Sequence, residues 1–298
     1  MFKWKTYIFI LSGIFPLLFA DIAFAQTLTL YTYPPAHPYR WENPHRLLVS
    51  TLNNYYFGTR RKDGRLIGHM IIELKKDSSV LYTAMSLEGM TNFRESLLHR
   101  KLGLGVLFKM EDGIMESQSE LQAELAYRTQ HSKAAFISFA ISDSAYQYLR
   151  LYIDSFRIKG YDKLYNGANQ PRSGGGSGCT AFGISFLELI NALQPEFADQ
   201  WAVKVAVPEK LIGDTATGKK VSVWRIFFTN KWAGKNKPAR WYVVYEPNYI
   251  YRWINRVWNA ESKKPGGKYQ LLRNGNAKGL LVNCDSCMPV KPMFTRQD

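Results

Sequence analysis

The residues best suited to chemistry in this 298-residue sequence are a cysteine and a histidine that lie far apart along the chain. Cys179 follows a glycine-rich segment, Tyr165 to Gly178, and opens the run CTAFGISFLELINAL, whose apolar residues recur at the spacing of an amphipathic helix. A helix N-terminus offers unpaired N–H groups and a partial positive charge. These stabilise a thiolate and the oxyanion that forms when sulfur attacks a carbonyl. Cys179 is therefore a candidate nucleophile.

A thiol nucleophile also needs an imidazole that takes up and returns its proton. Of the five histidines, His69 alone stands inside an apolar strand pattern, RLIGHMIIELKK. Polar residues from Lys75 to Ser79 indicate a turn, and VLYTAMS resumes as a second strand, so a β-hairpin is predicted. Antiparallel pairing would place His69 opposite Met85 and close to Ser86. The alternative is a buried histidine and a buried cysteine that serve packing alone.

Two segments carry a resemblance to a known family: GHMIIEL, Gly68 to Leu74, and GCTAFGISFLELI, Gly178 to Ile190. A histidine strand that precedes a cysteine helix resembles the circularly permuted branch of the papain-like NlpC/P60 superfamily. The resemblance covers roughly Leu66 to Leu193. It implies an α+β fold with a papain-like core, in which an antiparallel sheet packs on the Cys-bearing helix in permuted order.

The same resemblance implies a thiol hydrolase or acyltransferase that acts on an amide, ester or thioester, with Cys179 as nucleophile and His69 as base. Family members place a third polar residue against the imidazole, and Ser86 is the candidate by register. The backbone N–H groups of Cys179 and its neighbour, beside Gly178, would bind the oxyanion. Gln170 would add a donor if the loop folds back. No cofactor and no metal ion is expected.

The first 25 residues have the three parts of a secretory signal peptide. Lys3 and Lys5 precede the apolar stretch YIFILSGIFPLLFA, and Ala23-Phe24-Ala25 follows as a cleavage site. We therefore expect cleavage after Ala25 and a periplasmic or secreted mature chain. Because no later segment approaches ~20 consecutive apolar residues, no transmembrane span is expected in the mature chain.

The mature chain divides by composition into three parts. Residues 26–64 are an N-terminal arm, in which prolines break up an aromatic stretch and predict irregular structure. Residues 65–195 are the predicted permuted papain-like core. Residues 196–298 are a basic, Trp-rich, β-containing extension, either separate or part of the same domain, with predicted strands KVSVWRIFF and ARWYVVYEP.

The basic character of the chain lies in its C-terminal third. The whole chain carries +15, and the residues from Trp201 onward hold 18 Lys and Arg against six Asp and Glu, with six of the eight tryptophans. An anionic cell-envelope polymer or a peptide substrate is the favoured partner, ahead of nucleic acid. Nucleotide binding is not expected, because Gly178 is followed by Cys179 and Thr180 instead of the lysine of a phosphate-binding loop.

Cys284 and Cys287 are close neighbours in NCDSC, and export to an oxidising compartment would let them form a structural disulfide. The working hypothesis is an exported cysteine hydrolase that cleaves an amide, such as cell-wall peptide. One alternative is a non-catalytic exported protein that binds an anionic envelope polymer. Another is an acyltransferase or lipase of the same fold, which would need a broad apolar cleft.

Overall fold

A computed structural model of the chain describes residues 26–58, 67–88, 95–131, 133–168, 170–264 and 266–295. The signal peptide expected over residues 1–25 lies outside the described residues. The strands are β1 (Gln26–Tyr33), β2 (His69–Lys76), β3 (Ser79–Thr83), β4 (Met85–Leu87), β5 (Glu111–Met115), β6 (Ala135–Ile141), β7 (Leu164–Tyr165), β8 (Ala202–Pro208), β9 (Ala239–Tyr245), β10 (Gln270–Asn274) and β11 (Ala277–Cys284). The helices are α1 (Pro44–Asn53), α2 (Gln118–His131), α3 (Asp143–Ile158), α4 (Cys179–Leu189), α5 (Pro195–Trp201), α6 (Val223–Phe227) and α7 (Pro247–Glu261). None of the helices in the described ranges combines the length and apolar character that crossing a bilayer requires.

The main sheet has six strands in the order β10-β11-β6-β1-β2-β3. Neighbouring strands are antiparallel except β11 and β6, which run parallel. The chain therefore has the expected α+β fold, but its main sheet is mixed and not wholly antiparallel. Two smaller sheets, β4-β5-β7 and β8-β9, flank it.

The strand β1 lies in the middle of the main sheet, between β6 and β2. The expectation of an irregular arm over residues 26–64 is therefore wrong for Gln26–Tyr33, and also for the helix α1. The alternation of QTLTLYTY, with Leu28 and Leu30 facing one side and Tyr31 the other, is a strand pattern. The prolines that suggested irregular structure begin only after Tyr33, where the strand ends.

The predicted hairpin is present as β2 and β3, with Asp77 in the turn at a φ of 51°. The predicted register fails at its open end. After Thr83 the chain leaves the main sheet, and Met85 pairs with Met115 of β5 instead. His69 therefore lies opposite Tyr33 of β1 and not opposite Met85.

Both faces of the main sheet are covered, which explains why β6 is buried at every residue. On one face, Leu28, Met70 and Ile137 pack in a core shared with residues of α3, α4, α5 and α7. On the other face, Tyr31 and Ile71 pack with Leu121 and Leu125 of α2. Burial on both faces fixes the position of β2, whose first residue is His69.

The basic C-terminal region contributes β10 and β11 to the main sheet, so its described residues share the core of that sheet. The strand predicted for ARWYVVYEP is confirmed as β9. The strand predicted for KVSVWRIFF is wrong, because this segment contains the helix α6, whose N-cap Ser222 accepts a hydrogen bond from the Trp224 backbone N–H. A Ser cap before a short apolar run favours a helical turn, and this signal outweighs the β-propensity of the run.

A disulfide joins Cys284 and Cys287, as predicted, with 5.1 Å between their Cα atoms. It closes a tight turn at the end of β11, where the Cys287 N–H donates to the Cys284 carbonyl at 2.8 Å. Cys179 is the remaining cysteine of the chain, and it is not disulfide-bonded.

Candidate active site

Cys179 is the first residue of α4, as the sequence predicts, and Gly178 is the N-cap residue. A Cβ atom added to Gly178 would come within 2.8 Å of the Gly167 Cα atom, so the loop backbone crosses directly over the helix N-terminus. Gly174 has a φ of 81°, which residues with a side chain rarely adopt. The glycines before Cys179 therefore serve a close backbone crossing and tight turns, in addition to leaving the thiol accessible from one side.

Close packing of α4 on β2 brings the cysteine to the histidine. A Cβ atom added to Gly183 would collide with the Met70 side chain, so this glycine allows the helix to lie directly on the strand. Met70 follows His69 in β2, and Gly183 lies one helical turn after Cys179. The two reactive side chains are thus held by the same helix–strand contact.

His69 opens β2 at a sharply defined position. Gly68, which precedes it, has a φ of 71°, and a Cβ atom added there would stand 2.6 Å from the Tyr33 carbonyl oxygen. The His69 side chain is 2% exposed. Any larger residue at Gly68 would displace the strand start, and with it the imidazole.

The thiol of Cys179 and the imidazole of His69 are hydrogen-bonded to each other. Burial is the largest single effect and raises the pKa of the Cys179 thiol, whereas the hydrogen bond and positive charge of His69 lower it. The Thr180 hydroxyl, 3.7 Å from the sulfur, and the Met70 backbone N–H lower it further. The resulting pKa of Cys179 lies below its ordinary value, which increases the fraction of thiolate at a given pH.

Glu116 is the third member of the site, and no local pattern in the sequence indicates it. Its Oε1 lies 2.9 Å from the Nε2 atom of His69, and its side chain is mostly buried. Glu116 follows β5 directly, and its backbone N–H donates to the Ala84 carbonyl, which fixes the start of the side chain. A carboxylate on Nε2 orients the ring and stabilises the imidazolium, so that the other nitrogen can serve the sulfur.

Replacing Glu116 by glutamine tests this role without a known substrate. The neutral amide no longer stabilises the imidazolium, so we expect alkylation of Cys179 by iodoacetamide at about pH 6 to slow roughly tenfold, equivalent to about one pKa unit. The matched control is Glu111→Gln, since Glu111 lines the same cavity but pairs with Lys109 at 2.7 Å. Equal rates for Glu116→Gln and the wild type would exclude this role.

A second carboxylate stands close to this group. Ligand atoms of His69, Glu116 and Glu124 all lie within 4.8 Å of one another, the one such set found among the described residues. Arg128 already neutralises Glu124 through a contact of 2.6 Å and lies over the Tyr33 ring. These three side chains are the ones that could hold a metal ion, and the Arg128 pair competes with that use.

Tyr165 also belongs to the site and was not identified from the sequence. Its hydroxyl hydrogen-bonds to the side chain and to the backbone N–H of Cys179. Burial, followed by the nearby charge of Cys179, raises the pKa of Tyr165 well above its ordinary value, so the phenol stays protonated and able to donate. An oxyanion formed at the sulfur could replace the Tyr165 oxygen as the acceptor of the Cys179 N–H, and the Tyr165 hydroxyl could then donate to the oxyanion as well.

Cys179, His69 and Tyr165 line a cavity of about 930 Å³. Most of its wall is aromatic or aliphatic: Tyr39, Trp41, Leu47, Leu48, Tyr55, Tyr56, Ile67, Met85, Leu87, Leu97, Leu104, Val106, Leu107, Ile226, Tyr242, Val244 and Tyr245. The charged residues in the wall are Lys109 and Glu111, which pair with each other, and Glu246. This is the broad apolar cleft that a lipase or acyltransferase would need.

Two other predicted site residues have different outcomes. Ser86 lines the cavity, but it lies in β4 opposite Ile114, and the residue on the His69 Nε2 atom is Glu116. Gln170 is exposed and does not line the cavity. The structure therefore does not bring Gln170 to the thiol, and its role as an oxyanion donor stays a prediction.

Glu246 is a buried carboxyl group in the same cavity wall. Its Oε2 accepts a hydrogen bond from the Tyr249 N–H and caps α7, whereas no described residue bonds its buried Oε1. Burial raises the pKa of Glu246 to about 7. Because Pro247 packs against Gly68, this carboxyl group lies near the start of the His69 strand.

Replacing Glu246 by glutamine should change how stability depends on pH. The raised pKa means that the folded state binds more protons than the unfolded state between about pH 4.5 and 7, so stability falls as pH rises through this window. The fall is roughly 3 kcal/mol for this group. We expect Glu246→Gln to flatten this part of the stability curve in urea unfolding, whereas the exposed Glu209→Gln control leaves it unchanged. An unchanged slope in Glu246→Gln would contradict the assignment.

Comparisons of the chain with protein-family models, with curated proteins and with solved structures found no match.

Proposed function

We propose that the protein is a cysteine hydrolase that cleaves an amide or ester bond through a thioester intermediate, and that it belongs to the circularly permuted papain-like group that its sequence resembles. The observation that supports this most strongly is that His69 contacts both Cys179 and Glu116. Nucleophile, base and orienting carboxylate are the three roles that such catalysis requires.

The reaction would proceed in two balanced steps. The Cys179 sulfur attacks the carbonyl carbon, and the oxyanion accepts hydrogen bonds from the Cys179 N–H and the Tyr165 hydroxyl. The tetrahedral intermediate then expels the amine or alcohol, which takes its proton from His69 and leaves an acyl thioester on the sulfur. In the second step His69 removes a proton from water, and the hydroxide attacks the thioester carbonyl. The carbon–sulfur bond then breaks, the carboxylic acid leaves, and the thiolate and imidazolium form again.

Cell-wall peptide is the amide substrate that we propose first, with the mature protein exported to the periplasm or the outside of the cell. The disulfide between Cys284 and Cys287 supports an oxidising compartment. The excess of Lys and Arg from Trp201 onward supports attraction to an anionic envelope polymer.

The apolar cavity favours a second candidate function, hydrolysis or transfer of a long acyl chain. A wall built mostly of aromatic and aliphatic side chains stabilises an apolar substrate part and offers a charged peptide few partners. The same Cys179 and His69 would act on an ester or thioester. A purely binding role for the protein is the remaining alternative, and it predicts a thiol that does not react with mild alkylating reagents.

An acyl-trapping experiment distinguishes these functions. The protein is incubated with p-nitrophenyl esters of increasing acyl length and with a muropeptide, quenched in acid, and analysed by mass spectrometry. A hydrolase leaves an acyl adduct on the Cys179 peptide. If the cavity holds the acyl group, esters with longer acyl chains give more of this adduct than esters with short chains. Product formation without any adduct on Cys179, or no adduct and no product from either substrate class, would contradict the proposal.

A further inference from the structure

An exposed apolar ridge stands beside the cavity, formed by Tyr56, Phe57, Leu98, Trp224 and Phe228. The exposed fractions reach 61% for Phe57, 64% for Trp224 and 75% for Phe228. Single exposed apolar residues are common, but a contiguous set of large aromatic side chains marks an interaction surface.

Three separate chain segments build the ridge. Tyr56 and Phe57 lie in the π-helical turn Asn54–Gly58 after α1, and Leu98 lies in the turn Glu95–His99. Trp224 lies in α6, and Phe228 directly follows this helix. Tyr56, Leu98 and Trp224 line one groove of about 270 Å³, and the Phe228 ring stacks on Trp224 at 6.3 Å. Tyr56, Leu98, Trp224 and Phe228 therefore form one continuous patch, and Phe57 follows Tyr56 in the same turn.

The ridge groove adjoins the catalytic cavity. Leu48, Tyr55, Tyr56 and Leu97 line both of them. An apolar chain that leaves the cavity along this wall meets the exposed aromatic rings next. The ridge groove and the cavity therefore share a wall.

Exposed positive charge lies beside the ridge on two described segments. Residues 219–231 contain Lys219, Lys220, Arg225 and Lys231, all exposed, and no Asp or Glu. The backbone hydrogen bond from Val221 to the Lys101 carbonyl brings the exposed pair Arg100 and Lys101 beside this segment. The one acidic residue in the adjoining turn, Glu95, already lies 3.7 Å from Arg100.

We propose that the ridge docks the protein on the surface of an anionic lipid bilayer, with the wall shared by the groove and the cavity next to the lipid. Tryptophan and phenylalanine insert at the level of the headgroups, and nearby Lys and Arg bind the anionic headgroups. A soluble polyanion would use the cations but would leave the aromatic rings in water. This docking goes beyond the proposed hydrolase activity, because it would hold even for a protein without catalysis.

Sedimentation with lipid vesicles tests the docking directly. We expect the protein to bind vesicles that contain about 30% phosphatidylglycerol, to bind pure phosphatidylcholine vesicles at least tenfold more weakly, and to lose binding as salt rises toward ~1 M. The double variant Trp224→Ser with Phe228→Ser should bind the anionic vesicles at least tenfold more weakly. Trp241→Ser is the matched control, since Trp241 is 68% exposed on β9 and lies outside the ridge, and it should bind like the wild type.

Each result supports or overturns the docking. Phe57→Ser, from a separate segment, repeats the test if the double variant does not fold, as judged by circular dichroism. Equal vesicle binding by wild type and folded ridge variants would overturn the proposal. Dextran sulfate, a soluble polyanion, gives a second test. If it displaces the wild type and the ridge variants from the vesicles equally well, binding depends on the cations alone and the proposal is overturned.

Discussion

Replacement of Cys179 by alanine is expected to reduce turnover by roughly 10⁴-fold or more, because the variant has no nucleophile to form the acyl intermediate. The change removes one sulfur atom from a buried site at the first turn of α4, so the fold should persist. Steady-state hydrolysis of whichever ester or peptide is turned over by the wild type measures the loss. Vesicle binding, which depends on the ridge, should stay at the wild-type level.

The matched control removes the other two cysteines. A double variant, Cys284→Ala with Cys287→Ala, loses the disulfide but keeps the thiol in the cavity. It should retain turnover even if its unfolding midpoint falls. Retained activity in Cys179→Ala would contradict the hydrolase proposal.

Replacement of His69 by glutamine is expected to reduce turnover by roughly 10³-fold, within the range for loss of a general base. Two effects combine: the proton acceptor disappears, and the thiol loses the charge that lowers its pKa against the effect of burial. Alkylation of Cys179 at neutral pH should therefore slow together with catalysis. A merely structural histidine would not produce this joint effect in a folded variant.

His131→Gln is the control for that experiment. His131 is exposed at the end of α2, where its ring contacts the Tyr127 carbonyl and stacks on the Tyr127 ring. Its replacement should change neither rate. Unaltered alkylation in folded His69→Gln would show that the imidazole does not ionise the thiol.

The strand and the helix that carry His69 and Cys179 could be predicted because each stands in a strong local pattern, whereas their meeting was expected from the chemistry of a thiol and an imidazole and from the family resemblance. Apolar residues recur at helical spacing after the glycine-rich segment, and an apolar strand pattern precedes a polar turn. Both signals are local, and both elements are present as expected. The disulfide was also predictable from spacing. In each case neighbouring residues in the sequence determine the structure.

Glu116 and Tyr165 could not be predicted in the same way. Glu116 lies in a connection between a strand and a helix, and only the departure of β4 from the main sheet brings β5 and this carboxylate to the imidazole. Tyr165 reaches the thiol through a two-residue strand that carries no periodic signal. Long-range strand pairing placed both residues, and a single sequence does not encode such pairing in local form.

The position of β1 shows a related limit. Its alternating pattern identifies a strand, but nothing local says that Gln26–Tyr33 pairs on one side with β2 and on the other with β6, far along the chain. The same holds for β11, whose parallel pairing with β6 makes the C-terminal region part of the main sheet. Composition alone suggested separate parts where the pairing unites them.

The most direct test of the account is a pH titration of the thiolate absorbance in the ultraviolet. Because Cys284 and Cys287 are joined in a disulfide, Cys179 is the one cysteine of the chain that can titrate. We expect half-ionisation of the wild type below the ordinary thiol pKa of about 8.5, and a shift to higher pH in His69→Gln. A wild-type thiol that ionises at or above that ordinary value would contradict the thiolate and imidazolium pair on which the proposed chemistry depends.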